Sequence, residues 1–296
     1  GIGDDCALLA VPPGEQLAIS TDTLVAGVHF ADPCDPFLLG QRSLAVAVSD
    51  LAAMGAHPLA FTLALTTPTV AADWLQRYAQ GLNAMAQRCG VGLVGGDTTR
   101  GPLSLTVTVF GRVPAGLALT RSGAQPGDLL CVGGELGNAA GALPLVLGQR
   151  SAAAQIAEPL LGHYWSPQPQ LALGMALRGK ATSALDISDG LLADCGHIAK
   201  ASAVSLVIER HRLPLSAALL AFLGDDQARS AALSGGDDYV LAFTLPPAEL
   251  APLLADGWPV HIVGRVEAGA GVRLLDAGGH DITPAVRGYQ HFRETP

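Results

Sequence analysis

Six short stretches of the 296-residue chain place aspartates where an apolar run meets glycine, serine or threonine. GIGDD puts Asp4 and Asp5 behind a glycine turn, and AISTDT brings Asp22 to the end of an apolar strand behind Ser20 and Thr21. AVAVSDLAAMG carries Asp50 inside an apolar, helix-like run, and VGLVGGDTTRG sets Asp97 after paired glycines. DISDG then supplies Asp186 and Asp189, and SGGDDY adds Asp237 and Asp238. Any one of these is ordinary as a turn residue or helix cap. Asp50 is different, because its neighbours are apolar on all sides and a partly buried carboxylate needs a partner.

Taken together, the set points to cations. Like charges about 4 Å apart repel by roughly 4 kcal/mol at an effective dielectric near 20. Lys180 and Lys200 are the only lysines, so ammonium groups are scarce. Oxygen-only ligands select hard ions, Mg²⁺ above all, and carboxylate-bound Mg²⁺ usually brings substrate phosphates with it. The pattern therefore predicts phosphate chemistry assisted by magnesium.

Other constellations are weak. GMALRGKA (Gly174–Ala181) fits most of the G-x-x-x-x-G-K-[ST] pattern, but Ala181 replaces the hydroxyl, no strand precedes it, and its glycines sit in a helical pattern. No G-x-G-x-x-G follows a strand, and neither HExxH nor G-x-S-x-G occurs. His29, seven residues after Asp22, draws its interest only from that neighbourhood.

These residues need a scaffold. Strands are predicted at Leu17–Thr21, Ala60–Thr66, Val91–Val94 and Leu103–Val109, with helices at Pro36–Met54 and Ala71–Arg88. The Pro- and Gly-rich segment Arg112–Asp128 marks a boundary, giving domains 1–118 and 119–296. Beyond it, strands are predicted at Leu129–Val132, before Asp186, and at Ser205–Ile208, Tyr239–Thr244, Val260–Val266 and Gly271–Leu275. Helices are predicted at Ala139–Leu147, Pro167–Gly179 and Leu191–Ser202. The fold class is α/β or α+β, in two domains. A net charge of −9 argues against nucleic acid, and no apolar run reaches the ~18 residues of a membrane span. Five scattered cysteines without a CxxC pair read as free thiols of a cytoplasmic protein.

GIGDDCALL, AISTDTLVAGVHF, AVAVSDLAAMGAHP, GGDTTRGPLSLTV, LTRSGAQPGD, LDISDGL and SGGDDY, in this order and spacing, resemble the bacterial thiamine-monophosphate kinases. The likeness runs through GYQHF near the C-terminus. It implies an aminoimidazole ribonucleotide synthetase-like fold whose N-terminal sheet forms a dimer barrel, with a C-terminal α/β domain. The implied reaction is in-line phosphoryl transfer from ATP to thiamine monophosphate with several Mg²⁺, K⁺ being a further candidate ion. By position, Asp5, Ser20, Thr21, Asp22, Asp50, Asp97, Asp186 and Asp189 resemble the family's metal site, with Asp22, Asp97 and Asp186 at its catalytic centre. Gly96, Asp97, Arg121 and Ser188 resemble ATP contacts, and His29, Asp237 and Tyr289 substrate contacts. Asp237 stands where many members have glutamate, Val240 stands where an acid is common, and an N-terminal helix ahead of GIGDD is expected to be lacking. A sister synthetase of the selenophosphate type and a non-catalytic nucleotide-binding subunit are the alternative readings.

Overall fold

The structure, a computed structural model, describes residues 5–284 and 288. It divides into two compact units, Gly1–Ala118 with Trp165–Met175, and Leu119–Tyr164 with Ala176–Pro296.

The first unit is built from β1 (Glu15–Val25), α1 (Pro36–Ala53), β2 (His57–Thr67), α2 (Ala72–Cys89), β3 (Gly92–Arg100) and β4 (Ser104–Pro114). Its sheet runs β1-β4-β2-β3, antiparallel except for the β2–β3 pair. α1 starts where Asp35 caps the Phe37 N–H at 2.9 Å and Pro36 opens the first turn. It is buried almost all round, which explains why its sequence lacks a polar stripe. α1 and α2 pack backbone to backbone through two glycines. A Cβ on Gly81 would lie 1.9 Å from the Phe37 carbonyl oxygen, and one on Gly40 would lie 2.3 Å from that of Tyr78.

The second unit contains β5 (Leu129–Val132), α3 (Asn138–Val146) and α4 (Ala154–Trp165). The short helix α5 (Leu171–Ala176) groups largely with the first unit, where a Cβ on Gly174 would meet the Ala52 carbonyl at 2.1 Å. There follow β6 (Ser183–Asp186), α6 (Leu191–Ser202), β7 (Ser205–Glu209), α7 (Ala217–Leu223), α8 (Asp225–Ser234), β8 (Leu241–Leu245), α9 (Leu250–Ala255), β9 (His261–Glu267) and β10 (Gly271–Leu275). The sheet order is β10-β7-β9-β5-β8-β6. Its core joins Leu130, Val132, Leu206 and Val263 of the sheet to Leu192, Cys195 and Ile198 of α6.

Several expectations need correction. Asp22 lies within β1, not at its end, because Thr23, Leu24 and Val25 continue the ladder to Thr106, Leu105 and Ser104. Asp97 likewise sits inside β3. The strand passes through Gly95 and Gly96 instead of turning there, with a register shift opposite Phe61 and Thr62. The predicted helix Pro167–Gly179 shrinks to α5, since Pro167 and Pro169 oppose helical geometry in the residues before them. β8 begins at Leu241 and not Tyr239, because Tyr239 has φ 51°. α4, with Pro159 inside it, and the short helices α7, α8 and α9 had no periodic signal strong enough to be predicted.

The glycine contact generates a test. Alanine is the better helix former by about 1 kcal/mol, whereas forcing a methyl into a packed contact costs typically about 1–3 kcal/mol or more. Backbone atoms cannot swing aside as a side chain can, so the clash wins. Gly81→Ala should lower the unfolding free energy by about 2 kcal/mol, read by urea denaturation. An unchanged or higher midpoint would show that this glycine does not set the helix spacing.

Candidate active site

In the first unit, Ser20 and Asp22 lie two residues apart on β1 and so share one face of the sheet. Asp50, in the last turn of α1, takes the Ser20 hydroxyl on its Oδ2. The partner that Asp50 required is therefore a strand serine, and the bond holds one carboxylate beside the β1 face that carries another. Thr21 points the opposite way, where its Oγ1 lies 2.9 Å from that of Thr108, and Thr23 pairs with Thr106 at the same distance. Asp97 is exposed and by register stands beside Ala64, which pairs in turn with Thr106, so it belongs to the threonine side. Gly96 before it has φ 152°, and a Cβ there would sit 1.9 Å from the Leu63 carbonyl oxygen, so only glycine fits. Asp5 is exposed. His29 closes a tight turn after β1: its Nδ1 accepts the Val25 N–H at 3.0 Å, which leaves the ring proton on Nε2.

In the second unit, Asp186 is the buried last residue of β6, and the chain then turns through Ser188, Asp189 and Gly190 into α6. One oxygen of Asp194 holds this turn. Its Oδ2 accepts the N–H groups of Ser188 and Asp189 at 3.0 Å and of Gly190 at 3.1 Å. Burial pushes the Asp194 carboxyl up to about 7, the nearby charges of Asp189 and Asp186 adding to the effect while the N–H donors oppose it. The SGGDDY turn is tied to the same loop, Asp237 N–H to Ser188 O and Tyr239 N–H to Ile187 O, both at 2.8 Å. Asp238 is buried and accepts the Gly137 N–H on both oxygens, at 2.8 and 3.0 Å. Burial first, then the charges of Asp237 and Asp194, hold its carboxyl well above the usual range. Arg121 is exposed, and its carbonyl accepts the Ser202 hydroxyl at 3.1 Å. Tyr289 lies outside the described residues.

Sequence reasoning missed Asp194, the Asp238 latch and Tyr239. An acid in the first turn of a helix usually complements the helix dipole, so Asp194 gave no signal of its own. Its spacing from DISDG, five residues after Asp189, was the available hint. Among the described residues no group of three or more His, Cys, Asp or Glu side chains is close enough to hold a metal ion by itself. What each unit offers is carboxylate and hydroxyl oxygen, which fits Mg²⁺, an ion commonly held by one or two carboxylates with water and phosphate completing its shell.

Residues 3–113 match the family described as AIR synthase related protein, N-terminal domain. Two-sheet α/β architecture and acid-bearing turns thus define a protein of the aminoimidazole ribonucleotide synthetase-like class. Within that class, the chain is 45% identical over 297 aligned residues to thiamine-monophosphate kinase of Escherichia coli K12, covering 99% of this chain and 91% of that one. A crystal structure of thiamine-monophosphate kinase from Stenotrophomonas maltophilia K279a superposes with a TM-score of 0.87 at 45% identity, covering 93% of this chain and 90% of the other. AaThiL complexed with AMPPCP and TMP gives the same TM-score, 0.87, at 28% identity, covering 96% and 89%. The chain belongs to the thiamine-monophosphate kinase family.

Asp194 supplies a pH test. Its carboxyl titrates near 7 in the folded protein, against about 3.9 in an unfolded chain. Between those values the folded state holds a proton that the unfolded state has lost, so this group's contribution to stability falls as pH rises from about 4 to 7 and then levels. An asparagine in its place could not ionise, yet would keep a carbonyl oxygen for the three N–H groups. Relative to wild type, Asp194→Asn should therefore gain up to about 4 kcal/mol of unfolding free energy between about pH 4 and pH 8, measured without nucleotide or metal. Parallel stability curves for the two proteins would overturn this account of Asp194.

Proposed function

We infer that the chain transfers the γ-phosphoryl group of ATP to the phosphate of thiamine monophosphate, giving ADP and thiamine diphosphate. The observation that carries the reading is the DISDG turn: acids and a serine hydroxyl held by three backbone bonds to one buried carboxylate, in a chain of this family. The substrate phosphate oxygen bonds to the γ-phosphorus as the bridging oxygen leaves with ADP, so no protein nucleophile is needed. Positioning and charge neutralisation suffice.

Asp5, Ser20, Thr21, Asp22, Asp50, Asp97, Asp186 and Asp189 are the residues proposed to hold magnesium, Ser20, Asp22 and Asp50 from one face of the first sheet and Thr21 and Asp97 from the other. When bound, Mg²⁺ neutralises polyphosphate charge that a chain this acidic would otherwise repel. Gly96 lets the β3 backbone come close to the nucleotide, Ser188 offers a hydroxyl from an exposed position, and the Arg121 guanidinium clamps phosphate. His29, Asp237 and Tyr289 are assigned to the thiamine end. His29 would donate from Nε2, and Asp237 and the Tyr289 ring would face the cationic thiazolium.

The enzyme is proposed to work in the cytoplasm as a homodimer. Supporting the first point are the buried free thiols of Cys89, Cys131 and Cys195. No helix among the described residues is long and apolar enough to cross a membrane. Supporting the second is the threonine side of the first sheet, where Ile19 is 58% exposed beside its register partner Phe110.

Incubating the protein with ATP, Mg²⁺ and thiamine monophosphate should yield thiamine diphosphate, and excess EDTA should abolish turnover. Asp97→Asn and Asp186→Asn should each lower kcat by at least ~10²-fold at saturating Mg²⁺ with the circular dichroism spectrum unchanged. Wild-type turnover in both would remove these strand acids from the proposed metal site. Ile19→Lys should shift the protein from dimer to monomer in light scattering. A dimer that survives the substitution would place the subunit interface elsewhere.

A further inference from the structure

The geometry points to Tyr239 as a positioning residue that aims the Asp237 carboxylate at the substrate. Asp237 and Tyr239 both lie in the left-handed region, with φ 61° and 51°, next to Gly236 at 69°. For residues with a Cβ this is a strained conformation, and two such residues separated by one are held only if their surroundings over-determine them. Those surroundings are specific. The Asp237 N–H bonds Ser188 O at 2.8 Å, the Tyr239 N–H bonds Ile187 O at 2.8 Å, and the Ile187 N–H bonds Val240 O at 2.9 Å. Between the two strained residues, Asp238 is latched to the Gly137 N–H.

The turn also carries a side-chain contact between its two left-handed residues. Here the left-handed kinks bring the Tyr239 hydroxyl to donate to Asp237 Oδ1 at 3.0 Å. Tyr239 is 9% exposed, so its ring is fixed by packing, whereas Asp237 is half-buried. A buried, rigid donor therefore sets the orientation of a more accessible acceptor. The same turn is bonded to Ser188, so aiming Asp237 also keeps it in register with the DISDG loop.

This inference rests on the reading that Asp237 meets the thiamine end of the substrate. The test uses Tyr239→Phe, which removes only the hydroxyl, with Asp237→Ala and the double variant. KM for thiamine monophosphate and for ATP and the melting temperature are read on each. Loss of a hydrogen bond to a carboxylate should raise the KM for thiamine monophosphate about five- to thirty-fold in Tyr239→Phe, with that for ATP within about two-fold. Adding Tyr239→Phe to Asp237→Ala should then change the KM no further, because the hydroxyl acts through the carboxylate. A lower melting temperature with both KM values unchanged in Tyr239→Phe, while Asp237→Ala still raises the KM for thiamine monophosphate, would overturn the positioning role alone. An equal rise on the Asp237→Ala background would also overturn it. If Asp237→Ala itself leaves that KM unchanged, the assignment of Asp237 to the substrate falls, and the role of Tyr239 falls with it.

Discussion

A single carboxylate oxygen of Asp194 gathers three consecutive N–H groups, those of Ser188, Asp189 and Gly190. Amides that point inward toward one acceptor force the intervening side chains outward, so the Ser188 and Asp189 side chains leave the core by geometry. The arrangement sets one buried acid against its neighbours. Burial first, and then the charges of Asp189 and Asp186, raise the energy of the ionised Asp194, and the N–H groups offset part of that cost. Removing Asp194 would free the turn. The placing of the acids in the second unit is thus built into its backbone as well as into its side chains.

The first unit places its acids differently. α1 is buried nearly all round, and its one carboxylate, the half-buried Asp50, is bonded by Ser20. At its other end α1 packs closely on α2 through Gly40 and Gly81. β1 then alternates two chemistries. Ser20 and Asp22 serve the face with Asp50, while Thr21 and Thr23 serve the opposite face with Thr108 and Thr106. One strand therefore carries a serine and a carboxylate on one face and paired threonine hydroxyls on the other.

Much of this was legible in the sequence, for identifiable reasons. The helices α1 and α2 were predicted to within a residue at each end, α2 because burial on one face writes a regular pattern and α1 because its apolar run is long. β4, by contrast, runs five residues beyond its predicted end at Val109. The acid-bearing turns were legible because glycine and aspartate together are a strong local signal. What remained hidden depended on contacts distant in sequence or on conformations without a glycine marker. Asp237 and Tyr239 adopt left-handed angles that glycine would have advertised. Gly95 and Gly96 suggested a turn, yet pairing with β2 carries the strand through them. The role of Asp194 is set by where its neighbours' amides point, which composition does not encode.

The grouping of Trp165–Met175 with the first unit bears on how such proteins can be cut and recombined. The polypeptide passes from one unit to the other after Ala118, after Tyr164 and after Met175. A gene fragment ending at residue 118 would lack α5, and the Ala52 backbone would lose the Gly174 backbone that packs against it. The complementary fragment would carry that stretch away from its packing site. Exchange between relatives by a single crossover at the Pro- and Gly-rich linker would therefore mismatch α5 and its seat. Two crossovers, or paired changes at Gly174 and around Ala52, would be needed for a chimera to keep both halves intact.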